Sequence, residues 1–222
     1  TMALELNLSI ITENLPLLLK GAGITLEITA LSVGLGLLIG MFVGVAKLSD
    51  NRLIRGLASV YVDCIRGTPL LVQIFLVYFA LPQIIGHRID PFVAAVGACS
   101  INSGAYVSEV IRAGIMAVDK GQQEAGRSLG LGYKDTMRFI IIPQALKNIL
   151  PAMGNEFIQL IKETSILGYV GIMDLTKASS YVSSRTYQMF IPLITAGIMY
   201  YLIVKILSIF LEKMERRMRQ SD

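Results

Sequence analysis

The chain is short of charge. Only 16% of its 222 residues are Asp, Glu, Lys or Arg, against about a quarter in an average globular domain, which excludes a water-facing surface as the bulk of the molecule. Histidine occurs once, as His87, with no neighbour to make it a metal ligand or a base. The two cysteines, Cys64 and Cys99, lack metal-like spacing and fall in different apolar stretches, which points to buried free thiols. No G-x(4)-G-K-[ST] run is present, so the chain lacks a phosphate-cradling loop with which to hydrolyse ATP. Neither a catalytic nor a metal-binding set is expected.

What the chain has in quantity is aliphatic residue. It is 54% hydrophobic with a mean hydropathy of +0.62, the balance of a protein whose solvent is a bilayer. A helix needs about 20 apolar residues to cross a hydrocarbon core of about 30 Å. Five stretches qualify: Ile24 to Ala46, Ile54 to Ile85, Pro91 to Val118, Ile149 to Gly168, and Met189 to Leu211. The expectation is an all-α integral membrane protein, a single domain over residues 1–222 with five transmembrane helices. The second and third stretches exceed the need and are expected to tilt or to protrude.

The first twenty residues stand apart. LNLSIITENLPLLLKG is broken by Thr12, Glu13 and Asn14, has no basic start and is followed by no A-x-A-like site. It reads as an interfacial segment, not a cleaved signal. Cations decide the orientation. Lys47, Arg52 and Arg55, the run from Arg112 to Lys147, and Lys213 to Arg219 all fall on one side, which puts the N-terminus outside and the C-terminus inside. The basic pI of about 9.1 follows from that asymmetry and calls for no nucleic acid. The tail KMERRMRQ is a snorkelling anchor on anionic lipid.

Between the third and fourth spans, residues 119–143 are charged, punctuated by glycine and longer than the roughly 2–8 residues that join bundled helices. Asp119 can cap a short helix, Gly130 and Gly132 can end it in left-handed conformation, and a second helix can begin near Tyr133. Pro143 is expected to interrupt before the fourth span. Leu129, Leu131, Tyr133 and Met137 then form an apolar knob that suits a groove on a partner.

The fourth span carries Glu156, Gln159 and Glu163 at i, i+3 and i+7, with Asn155 and Lys162 on the flank. A charge at mid-span costs about 2.5–3.5 kcal/mol on insertion scales, so this stripe should face a pathway. Glu163 either meets a cationic ligand group or ties to Lys162 or Arg66. The third span offers Asn102, Tyr106 and Glu109, with Ser103 and Gly104 permitting close approach of backbone or ligand. Glu109, nearer the inner end, can pair with Arg112. In the second span Pro69 removes a donor and pushes Thr68 from helical angles, the kind of broken helix at which transporters bind substrate. The candidate substrate-binding residues are therefore Glu163, Gln159, Asn155, Glu156, Thr164, Ser165, Asn102, Tyr106, Ser103 and Thr68. Intramembrane carboxylates also suit a secondary transporter or channel, the alternative of a different class.

Glu124, Ala125, Gly126, Gly130, Ile140, Ile142 and Pro143 reproduce E-A-A-x(3)-G-x(9)-I-x-L-P, with Gly126 in place of Ala and Ile142 in place of Leu. RGTPLLVQIFLVYFALP, GAYVSEVIRAGI and KETSIL follow in the order found among polar amino acid permeases. On these residues the chain resembles the permease subunits of ATP-binding cassette importers. The resemblance implies that Glu124, Ala125, Gly126, Arg127, Leu129, Gly130 and Tyr133 sit in cytoplasmic coupling helices. It implies docking onto two cytoplasmic ATPase subunits that hold the ATP and Mg, with no cofactor on this chain. It also implies a second permease, identical or paralogous, an extracytoplasmic amino acid-binding protein, and the cell membrane of a prokaryote. The substrate expected is arginine, lysine or histidine; glutamine or another polar amino acid is the alternative.

Overall fold

The computed structural model describes residues 9–219, and among these there is no strand. The first eight residues of the expected interfacial segment and the last three of the chain lie outside the described residues. The helix α1 (Ser9–Lys47) corrects the expectation of a separate segment, because residues 9–20 are its opening turns. Thr12 and Asn14 return their donors to the carbonyls of Ser9 and Ile10, which absorbs into the helix the polar group expected to break it.

The chain then forms α2 (Arg52–Arg66), α3 (Leu70–Phe75), α4 (Leu81–Ile85), α5 (Pro91–Met116), α6 (Lys120–Ser128) and α7 (Tyr133–Thr136). It ends with α8 (Ile142–Glu163), α9 (Leu175–Thr186) and α10 (Phe190–Arg219). Side-chain oxygens start four of these. Asn51, Asp90, Asp119 and Asp174 each accept from backbone N–H groups in the first turn of α2, α5, α6 and α9.

Helices α1 and α5 run parallel, their residue numbers rising together along the contact. Gly36, Gly40 and Gly44, at every fourth position, form the seam on Ser103, Gly104, Val107 and Ser108. A Cβ on Gly36 would lie 2.8 Å from that of Ser103, and one on Gly40 would lie 2.5 Å from a Val107 methyl. Small residues let two backbones approach where lipid offers no hydrophobic drive, and dispersion does the holding.

The second apolar stretch is broken as Pro69 requires: α2 and the helical run from Leu70 to Ile85 meet at 105°. Gln73, buried, braces the break. Its amide donates to the carbonyls of Ile65 and Thr68 at 2.8 and 3.1 Å and to the Thr68 hydroxyl at 2.9 Å, while its oxygen accepts from Asn102 at 3.0 Å. Polar backbone that leaves a helix within a membrane needs such internal partners.

Two π-helical turns have one cause. Leu76–Ala80 ends two residues before Pro82, and Met137–Ile141 ends two residues before Pro143. The residue just ahead of each proline donates five positions back, Leu81 to Leu76 and Ile142 to Met137. The wider ring shifts the ladder where the proline ring would clash with the i−4 carbonyl. Pro143 therefore does not interrupt the run from Tyr133 into α8, contrary to expectation.

By length and composition α1 and α10 can each cross a membrane, and the bent pair makes a third. Helices α5 and α8 have 26 and 22 residues but lack uniform apolarity, because they carry Asn102, Ser103, Ser108 and the glutamates. The α-helix of the fourth stretch also stops earlier than expected. Glu163 is its last residue, and a 3-10 turn over Thr164–Val170 continues to Gly171, whose φ of +88° reverses the chain. The unanticipated α9 packs Leu175 and Ala178 on Leu18 and Ala22 of α1 and Ala196 of α10. Its cap, Asp174, is fully buried and also receives the Tyr200 hydroxyl at 3.4 Å.

Candidate functional site: an acidic furrow between α5 and α8

The stripe read from the fourth span lines a cavity of about 260 Å³ formed by Tyr106 of α5 with Ala152, Asn155, Glu156, Gln159 and Glu163 of α8. Gln159 donates to Glu163 Oε1 at 3.2 Å, fixing the carboxylate along the helix. Among the described residues neither Glu163 nor Glu156 makes an ion pair. Lys162 points away as an exposed side chain. The cavity thus presents two carboxylates, with no cation in its lining.

Arg66 pairs with Glu109, outside the cavity lining, and acts on Glu156 only through space. Its guanidinium lies 5.2 Å from the centre of the Tyr106 ring, outside the cavity lining, and 3.8 Å from Glu109. Glu109 also receives Arg112, through Nη2 at 2.8 Å and Nε at 3.2 Å, and Lys47. Of the two ties open to Glu163 in the sequence, neither is made. The pairing of Glu109 with Arg112 is as expected.

Five of the expected residues lie away from this cavity. Asn102, 3% exposed, is spent on Gln73. Ser103 is sealed against Gly36, so the close approach it permits is to α1 and not to a ligand. The Thr68 hydroxyl donates to the Cys64 carbonyl at 2.9 Å at the break, and that of Thr164, buried, to the Ile161 carbonyl at 2.7 Å. Ser165 faces a separate cavity of about 200 Å³ with Tyr169, Thr176 and Lys177. For Thr68 and Thr164 the cause is that a hydroxyl in an apolar helix spends its donor on a nearby backbone carbonyl. Cys99 is buried as expected, whereas Cys64 is exposed; both are free. Two contributors were not anticipated: Ala152, whose lack of bulk opens the cavity floor, and Gln73, for which a glutamine one turn beyond Pro69 is the available signal.

The loop over residues 119–143 folds into the expected helix, turn and helix. Asp119 accepts from Gly121 N at 2.6 Å, and Gly130 takes a φ of +86° after α6. Gly132 does not; at φ −66° and ψ 162° it is extended and leads into α7 at Tyr133. Leu129 and Tyr133 are 81% and 65% exposed, and Leu131 and Phe139 are exposed beside them. Met137 instead joins the buried cluster of Val118, Ile141, Ala145 and Ile149. Glu124, Ala125 and Arg127 face out while Gly126 is buried. A Cβ at Gly126 would lie 2.9 Å from the Thr136 methyl and 3.0 Å from Ile140 Cδ1, which explains glycine there.

The chain resembles known proteins along nearly its whole length. Residues 36–220 match the family of binding-protein-dependent transport system inner membrane components. The arginine transport system permease protein ArtQ of Bacillus subtilis is 43% identical over 99% of this chain and 100% of its own length. The glutamine transport system permease protein GlnP of Escherichia coli is 38% identical over 97% and 99%. A solved amino acid ABC transporter with histidines superposes with a TM-score of 0.90 at 47% identity, covering 93% of this chain and 96% of that one.

Proposed function

As the chain belongs to the binding-protein-dependent transport system inner membrane components and is a translocation subunit of an amino acid ABC importer with no catalysis of its own, we propose that its substrate is a basic amino acid. That family implies separate ATPase subunits and a substrate-binding protein, and it sets aside a secondary transporter or channel. One observation carries the substrate: Glu156 and Glu163 share a cavity with no cation in its lining. In a low-dielectric site an unmatched carboxylate is costly, and a guanidinium or ammonium arriving with the ligand replaces its lost hydration. Glu163 meets that group, Glu156 supports it, and Gln159, Asn155 and Tyr106 supply the remaining polar contacts. The relative named for arginine, and the solved transporter with histidines, support the same class.

Five spans then cross the inner membrane of a bacterium: α1, the bent run α2 to α4, α5, α8 and α10, with the N-terminus outside. The loop over residues 119–143 is cytoplasmic, and Leu129, Tyr133 and their neighbours dock in grooves of the two ATPase subunits, which hold the ATP and Mg. A second permease, a copy or a paralogue, completes the pathway. A second reading, glutamine, is favoured by the relatives named for it.

The test is ATP-dependent uptake into proteoliposomes containing the permease, its ATPase and the binding protein. Arginine, lysine or histidine should be accumulated and glutamine should not. Accumulation of glutamine in preference to all three would select the second reading.

A further inference from the structure

The acidic cavity ends at Ala152, and a larger one of about 770 Å³ begins at the same residue. Val110 and Ala113 of α5, with Ala117 at its C-cap, form one wall of the second cavity, and Gln144, Asn148 and Pro151 of α8 form the other. The two cavities share more than a boundary. Along α5 and its cap, Tyr106, Val110, Ala113 and Ala117 recur at steps of four, three and four, which is one helical face. Along α8, Gln144, Asn148, Ala152, Asn155, Gln159 and Glu163 do the same. They therefore form a single furrow. At 1.5 Å per residue it runs about 28 Å from Glu163 to Gln144, close to the thickness of a hydrocarbon core of about 30 Å.

Its walls differ in a way that suits an amino acid in transit. The α5 wall is small and apolar, with Ala113 and Ala117 exposed and leaving width. The α8 wall offers amides, and Asp119 and Glu215 stand in the lining away from Glu163. Lys147, in the same lining, offsets part of their field. The inner cavity thus carries side chains of both charges, where the outer one carries carboxylates alone. That difference favours departure, because a ligand must find each station favourable enough to enter and weak enough to leave.

We propose that the inner cavity is the release vestibule for the substrate held at Glu156 and Glu163, that it takes the same ligand class, a cationic amino acid, and that Ala152 is the throat between them. The inference rests on the reading of the Glu163 cavity as the substrate site.

The test uses the whole importer in proteoliposomes, with Cys64→Ser and Cys99→Ser as background. Uptake of arginine by Ala152→Cys is compared, against its own unlabelled rate, before and after attachment of a bulky maleimide. A fall of at least about tenfold, a barrier of some 1.4 kcal/mol, is expected. Ala113→Cys should react with a cationic thiol reagent, and saturating arginine should slow that reaction several-fold. Undiminished uptake after labelling at position 152, or reaction at position 113 indifferent to arginine, would overturn the vestibule. Glu163→Gln in the same preparation separates the two levels. If it leaves arginine uptake intact, the substrate site itself is wrong; if it stops uptake while labelled Ala152→Cys still transports, only the vestibule is.

Discussion

Two glutamates on facing helices have opposite surroundings. Glu109 on α5 is gripped by Lys47, Arg66 and Arg112, three cations from three helices on one carboxylate. Glu163 on α8 has Gln159 for company and no ion pair among the described residues. The first ties α1, α2 and α5 together near their C-terminal ends. The second is an acid kept where it costs free energy. Two carboxylates on facing helices, one answered and one open, distinguish a structural tie from the proposed binding group better than either does alone.

That contrast can be broken in stages. The largest effect belongs to the double change Glu156→Gln and Glu163→Gln. Loss of a buried charge partner costs about 2–5 kcal/mol, so uptake of basic amino acids in proteoliposomes should fall by roughly a hundredfold while the assembled complex is recovered in normal yield. Glu109→Gln should do the reverse. It leaves three cations without their anion, so the complex should melt several degrees lower by thermal-shift fluorescence, while the preference for basic over neutral amino acids in competition assays stays as it was. Gln73→Leu keeps the volume but strips the bonds that brace the broken helix. Carbonyls left unpaired cost about 1–3 kcal/mol, measurable as a lower melting temperature without a change in selectivity. Gly126→Ala has the smallest expected effect. The methyl would crowd Thr136 and Ile140, an overpacking of about 1–3 kcal/mol that side-chain adjustment can lessen, and it should appear as a few-fold loss of substrate-stimulated ATPase activity with assembly retained.

Much of this was legible in the sequence because it is periodic or covalent. The stripe of Glu156, Gln159 and Glu163 is a matter of helical spacing, and the break at Pro69 and the cap at Asp119 follow from what those residues can bond. The misreadings share one physical origin. A polar residue in an apolar helix has two outlets, a ligand or a nearby carbonyl, and one dimension does not distinguish them: Asn102 went to Gln73, and Thr164 to Ile161. The helix α9 was hidden for another reason. It is set by tertiary contact through Asp174 and Leu175, buried against α1 and α10. The glycine seam of α1 was written plainly at every fourth position but matters only once α5 is known to lie against it.

The central claim is that the open carboxylate selects the substrate's charge. Its most direct test is the uptake of radiolabelled arginine by the reconstituted importer carrying Glu163→Gln alone, with the Glu109→Gln importer measured beside it. The account predicts that arginine transport is lost in the first and, per assembled complex, largely kept in the second. Unchanged arginine uptake with Glu163→Gln would contradict it.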